Sequence, residues 1–145
     1  MVMRLLAAAA LALPTAQAFA QDVSRGDKVY DVHSEAQGSC PSLNWHIVAS
    51  PDGVLTGMIA WDNMEVMASV SGTMNEPPQI ERHPKARPPQ DRTFNMIATE
   101  RGGQHRQANI TGTIRRDGWL IADIQGSGVA CQSVKLRWYS PAAPR

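Results

Sequence analysis

The sequence predicts an all-β domain: a single small antiparallel β-barrel or β-sandwich of about seven to eight strands, preceded by a cleaved signal peptide and tied by one disulfide. Three observations carry this. From residue 43 onward, apolar and polar residues alternate with a period of two in short runs. Those runs are separated by turn-forming residues such as Ser50-Pro51-Asp52-Gly53 and Asp117-Gly118. No stretch sustains the 3.6-residue period of an amphipathic helix.

The leader comes first. Met1 to Arg4 carries one positive charge, Leu5 to Leu13 is an unbroken apolar run, and Ala18-Phe19-Ala20 matches the small-x-small pattern of signal-peptidase sites, with Ala16-Gln17-Ala18 as a competing match. An apolar run of about nine residues is far short of the roughly twenty that cross a bilayer, so the segment reads as a signal and no transmembrane segment is expected. Periplasmic or secreted localisation follows, and the short alanine-rich leader is of bacterial type. Outside the cytoplasm thiols persist as disulfides, which makes the only two cysteines, Cys40 and Cys131, a predicted bridge. It would tie the two ends of one curled sheet.

The organisation expected is a leader over 1–20, an N-terminal segment over 21–39 that offers a further edge strand at Lys28 to His33, a β domain over 40–140, and a tail over 141–145. Leu43, Trp45, Ile47 and Ala49 alternate with polar neighbours. Val54 to Trp61 is apolar on both faces. Met64, Val66, Ala68 and Val70 share one face of the third run. Residues 74–92 then break the pattern: Pro77-Pro78 and Pro88-Pro89 remove backbone donors that a ladder needs, so a long exposed loop is expected. Phe94, Met96 and Ala98 resume the alternation. Ala108, Ile110, Gly112 and Ile114 continue it after Arg101-Gly102-Gly103, Leu120 to Gly126 follows Asp117-Gly118, and Ser133 to Tyr139 is the last strand. Glycine recurs in or beside the apolar faces at 57, 72, 112 and 126, which predicts close backbone approach in a tightly curled sheet.

The hairpin phrase Asp117-Gly118-Trp119-Leu120, set among short glycine-bearing strands, resembles the rhythm of avidin-like and lipocalin-like barrels. The Gly-x-Trp motif of lipocalins is missing, and no binding residue is carried over.

Composition narrows function without naming it. The chain has 14 basic and 13 acidic residues, and removal of Arg4 with the leader leaves the mature form formally neutral. That balance excludes the basic excess expected of a nucleic-acid binder. No Gly-x-Ser-x-Gly elbow, Cys-x-x-Cys pair or phosphate-binding glycine loop occurs, so no enzyme is predicted and a hydrolase is the minority reading. Asn109-Ile110-Thr111 fits the N-glycosylation pattern, which has no consequence in a bacterial host.

Two kinds of site are expected. Trp61 and Trp119 flank turns and so fall near a barrel end, where they are candidates to line a cup for an apolar ligand. A protein partner, such as an extracytoplasmic enzyme, is the other binding candidate, captured through the proline-rich loop. The alternative is a divalent-metal or copper-binding protein: Asp31-x-His33-x-Glu35 places two carboxylates and an imidazole on one side of a strand, with His46 as a fourth ligand. The five methionines that follow the leader, at 58, 64, 67, 74 and 96, favour core packing over copper, with Met58, Met64 and Met96 at positions suited to burial. No cofactor is expected.

Overall fold

The computed structural model describes residues 26–62, 64–75 and 91–138. The predicted leader, the segment 76–90 within the predicted loop, and the predicted tail lie outside the described residues. Eight strands follow in order: β1 (Lys28–Ser34), β2 (Leu43–Ala49), β3 (Val54–Trp61), β4 (Val66–Met74), β5 (Arg92–Glu100), β6 (Gln107–Ile114), β7 (Leu120–Gly126) and β8 (Val129–Leu136). Each pairs antiparallel with the next, in the spatial order β1 to β8, so the sheet is a pure up-and-down meander. It curls into a nearly closed barrel. β1 comes back against β8, yet no hydrogen-bonded ladder joins them among the described residues.

The period-two pattern sets which side faces in. The pairs Tyr30↔Ile47, Trp45↔Ile59, Ile59↔Ala68 and Met96↔Ile110 put the apolar residues of successive strands on one inner surface. Tyr30, Leu43, Trp45, Ile47, Leu55, Ile59, Met96, Ile110, Leu120 and Leu136 are each under 2% exposed or at 2%. An eight-stranded barrel has an interior that side chains just fill, and these fill it. A packed core, not a lumen, is the result.

Curvature depends on the glycines. A Cβ added at Gly57, Gly72 or Gly112 would lie 1.9, 2.1 and 1.9 Å from the carbonyl oxygens of His46, Asn95 and Ile121 on the neighbouring strands. The predicted close approach is therefore present, and a side chain at these points would force the strands apart. At one end of the barrel Tyr30 reaches across from β1 and donates its hydroxyl to the Gly118 carbonyl at 2.9 Å. Trp138 packs on the same glycine, where a Cβ would come within 1.8 Å of its Nε1.

The structure adjusts three expectations. The last strand is Val129–Leu136 rather than Ser133 to Tyr139, so Cys131 lies inside it and not before it. Register steps by one residue between Ala122↔Val134 and Ile124↔Cys131, a bulge that places both Gln132 and Ser133 opposite Asp123. Simple alternation cannot register that step. Met64 is not on a strand face but in the turn after β3, with φ of 73° and 52% exposure. Met58 points outward beside His46, while Met96 is buried as expected.

Candidate binding groove at the barrel seam

Strand direction decides what lies together. One end of the barrel carries the β1–β2 connection, the turn after Trp61, the β5–β6 turn and the β7–β8 turn; the other carries the β2–β3 and β6–β7 turns, Asn75, Asp91 and Trp138. Trp61 ends β3 and Trp119 precedes β7, so they sit at opposite ends. The expected cup lined by both is not formed. Trp61 is 6% exposed within the core, facing Val66, and Trp119 is half-buried with the Arg137 guanidinium 5.8 Å from its ring.

The four expected metal ligands lie on the outer face of β1 and β2 and just beyond β1. They divide into two pairs. His46 Nδ1 is 4.0 Å from Asp31 Oδ2, its cross-strand partner. His33 Nε2 is 3.6 Å from Glu35 Oε1, and its Nδ1 contacts Asn44 Oδ1 at 2.9 Å. Among the described residues no three His, Cys, Asp or Glu side chains gather as a metal site. The alternation of a strand does put these groups on one side, but each imidazole is matched to its own carboxylate.

Cys40 and Cys131 form the disulfide, with Cα atoms 4.6 Å apart and 91 residues between them in sequence. Its location is informative. Cys40 belongs to the β1–β2 connection and Cys131 to β8, so the bond crosses the seam that no ladder closes. Gln37 and Cys40 exchange two backbone hydrogen bonds of 2.9 Å around Gly38, and Ser39 Oγ donates to the Ala130 carbonyl at 3.4 Å. The connection is thereby folded against β8.

Beside this bridge lies a groove of about 1330 Å³. One wall is the end of β1 with the connection as far as Cys40; the other is β8 from Ala130 to Lys135. Outward side chains of β6 and β7, among them Asn109, Thr111, Asp123 and Gln125, complete it. The lining is mostly polar, with amides, hydroxyls, carboxylates, the His33 imidazole and Lys135, beside the apolar Ile124, Ala130 and Val134. Asp123 also accepts the Ser133 N–H at 2.6 Å, which holds the bulge, where Ser133 has φ of 52°.

A second polar feature has no counterpart in the sequence reading. Glu100, at the inner end of β5, is 7% exposed and accepts hydrogen bonds from Ser127 and from Arg106, whose Nη2 is 3.0 Å from Oε1 and whose Nε is 3.3 Å from Oε2. The Ser127 hydrogen bond is the largest influence; with the individually smaller Arg106 contacts it outweighs the cost of burial and holds the Glu100 carboxyl below its ordinary range. It ties the β5–β6 turn to the β7–β8 turn. Glu100 precedes Arg101-Gly102-Gly103 in sequence like any polar turn residue, so no pattern marks it as buried.

Fold and groove together define a disulfide-closed, up-and-down β-barrel with a filled interior and an open polar seam. No protein family, no curated protein and no solved structure matches the chain.

Proposed function

We propose that this chain is an exported binding module that engages a protein partner, an extracytoplasmic enzyme being one instance, through its exterior. The observation that carries the reading is the contrast between a barrel interior occupied by Trp45, Tyr30 and their neighbours and a groove of about 1330 Å³ lying open along the seam. A small apolar ligand needs a preformed apolar cavity, whereas a polar groove suits the mixed hydrogen bonding of a protein surface. Export is supported by the leader-like N-terminus and by a disulfide that is part of the barrel's closure.

The test is purification of the untagged mature protein from its native envelope fraction, followed by mass spectrometry and reconstitution with whatever protein accompanies it. A partner that re-forms a stoichiometric complex from pure components supports the reading. A protein that emerges alone, or with a bound metal or small molecule in stoichiometric amount, overturns it.

A further inference from the structure

We infer that the outer face of β6, β7 and β8 around Trp119 is the surface on which the protein partner docks, and that the partner meets it with an acidic segment bearing an apolar residue. The inference rests on the protein-binding reading above and names its surface and the chemistry of its partner. Strand register supplies the first argument. Ile114, Leu120 and Leu136 are buried, so the residues that alternate with them point outward. Arg115 donates its N–H to the Trp119 carbonyl at 2.8 Å, which carries the β6–β7 pairing one step past Ile114↔Leu120. From the other side the Arg137 guanidinium lies over the Trp119 ring, 5.8 Å from its centroid. Trp119 therefore stands between two arginines. In the adjoining row Ile121 stands between Thr113 and Lys135. The result is a half-buried apolar pair, Trp119 and Ile121, rimmed by the exposed cations Arg115, Lys135 and Arg137.

Charge supplies the second. Arg115 is matched by Asp117, 3.2 Å away. Lys135, Arg137 and the neighbouring Arg116 have no carboxylate within ion-pair distance among the described residues. Asp91 lies beside Arg116, but its Oδ1 accepts the backbone N–H at 2.8 Å. The adjoining segment 76–90 does not supply the missing charge by composition, since Glu76 and Glu81 are outnumbered by Arg82, Lys85 and Arg87. The surplus is local, because the whole chain is close to balance with 14 basic and 13 acidic residues. A local surplus on a balanced chain complements the carboxylates of a protein surface, whereas a nucleic acid or an anionic membrane draws on a general basic excess.

The third argument is residue type. Tryptophan and arginine are the side chains most enriched at the energetic centres of protein interfaces, where an apolar body is desolvated inside a polar rim. Here the two are stacked before any partner arrives, so little side-chain freedom is left to lose on binding. Lys135 also lines the groove, which makes the Trp119 patch and the groove one continuous outer surface. A partner seated on Trp119 would therefore reach the amides and hydroxyls of the groove with its neighbouring residues.

The experiment uses the mature, disulfide-bonded protein and a phage-displayed library of random peptides. Recovered binders are expected to carry Asp or Glu on both sides of an apolar residue and to weaken several-fold as salt is raised. They should also slow exchange of the Trp119 indole N–H while leaving β3 and β4 unchanged. Lys135→Glu combined with Arg137→Glu reverses charge at two exposed positions without touching the core, and should lower peptide affinity by about tenfold or more. Trp119→Ala should do the same by removing the ring; the charge-reversed variant remains decisive if that one does not fold. Absence of binders, binders without acidic residues, protection elsewhere, or affinity unchanged by the charge reversal would overturn the inference. Phosphatidylglycerol vesicles and a DNA duplex serve as competing anions, and either one binding as tightly as the best peptide would overturn the acidic protein segment as occupant. With the native partner in hand, capture lost in the charge-reversed variant at unchanged melting temperature supports docking on this face. Capture retained in that variant overturns the surface while leaving the binding reading intact.

Discussion

Replacing both cysteines, Cys40→Ala with Cys131→Ala, should destabilise the whole barrel and open it along one line. Chain-entropy theory for a bridge spanning 91 residues gives about 4.6 kcal/mol through the unfolded state alone. That is a large share of the 5–15 kcal/mol typical of a domain. With m of roughly 1–3 kcal/mol/M, the urea midpoint should fall by about 1.5–4.5 M. For a domain of about 120 residues the melting temperature should fall by roughly 15–20 °C. Geometry adds a local expectation. Because the bond crosses the seam, amide protection should be lost first in β1 and β8, with β4 to β6 exchanging later. Urea unfolding followed by tryptophan fluorescence measures the first quantity, and hydrogen exchange resolved by strand measures the second. A loss below about 1 kcal/mol, or protection that falls equally in all eight strands, would refute the assignment of the bridge as the seam's closure.

Three further outcomes test the packing. Tyr30→Phe leaves the Gly118 carbonyl without its donor and should cost about 1–2 kcal/mol at neutral pH; burial also pushes the Tyr30 hydroxyl up, so wild-type stability is complete below the unfolded value near 10 and declines above it, and the urea midpoint of the phenylalanine variant should be flatter from about pH 9 to 11.5. Gly112→Ala drives a Cβ into the Ile121 carbonyl and should cost about 3 kcal/mol or more, whereas Gly102→Ala, with open space around it, should stay within about 0.5 kcal/mol in the same thermal melts. Ser127→Ala removes the main cause of the lowered Glu100 carboxyl; a depressed group stabilises above its unfolded value near 4.3 and loses that contribution as pH falls through the folded one, so stability should drop less steeply on acidification in the alanine variant than in the wild type, and equal acid profiles would show that Ser127 does not set this group.

Much of the architecture is legible because strand alternation is a local signal. Leu43–Ala49, Val54–Trp61 and Leu120–Gly126 are bounded by turns whose Pro and Gly residues declare themselves, and the strands match the expected runs. Gly57, Gly72 and Gly112 foretold tight curling because a missing Cβ on an apolar face has few other physical reasons. The start of β8 was not legible, since Asp123 must cap Ser133 from another strand before the bulge exists. Nor was the ion pair at Glu100, whose partners Arg106 and Ser127 are brought in by two separate turns. The candidate tryptophans show the same limit. Flanking a turn places Trp61 and Trp119 at barrel ends, but only the count and direction of the intervening strands decides that the ends differ.

The way this barrel closes determines which of its surfaces are left exposed. A sheet of eight strands that completed its last ladder would have no edge, and with its interior filled by Trp45, Tyr30 and Leu43 it would offer a partner only loops and the outward side chains of β-strands. Here the last ladder is absent among the described residues, and closure falls to a covalent bond near one end and to Tyr30 and Trp138 on Gly118 at the other. Those two fastenings hold β1 and β8 near each other, the first by laying the β1–β2 connection against β8 at Ala130 and Cys131. The disulfide thus has two separable effects: it constrains the unfolded chain, and it keeps the sheet from unrolling along the seam. A variant that regained the lost stability through core substitutions elsewhere, yet lacked the bridge, should recover its melting temperature but not the protection of β1 and β8. Global stability and seam geometry would then be shown to be distinct properties of the same bond.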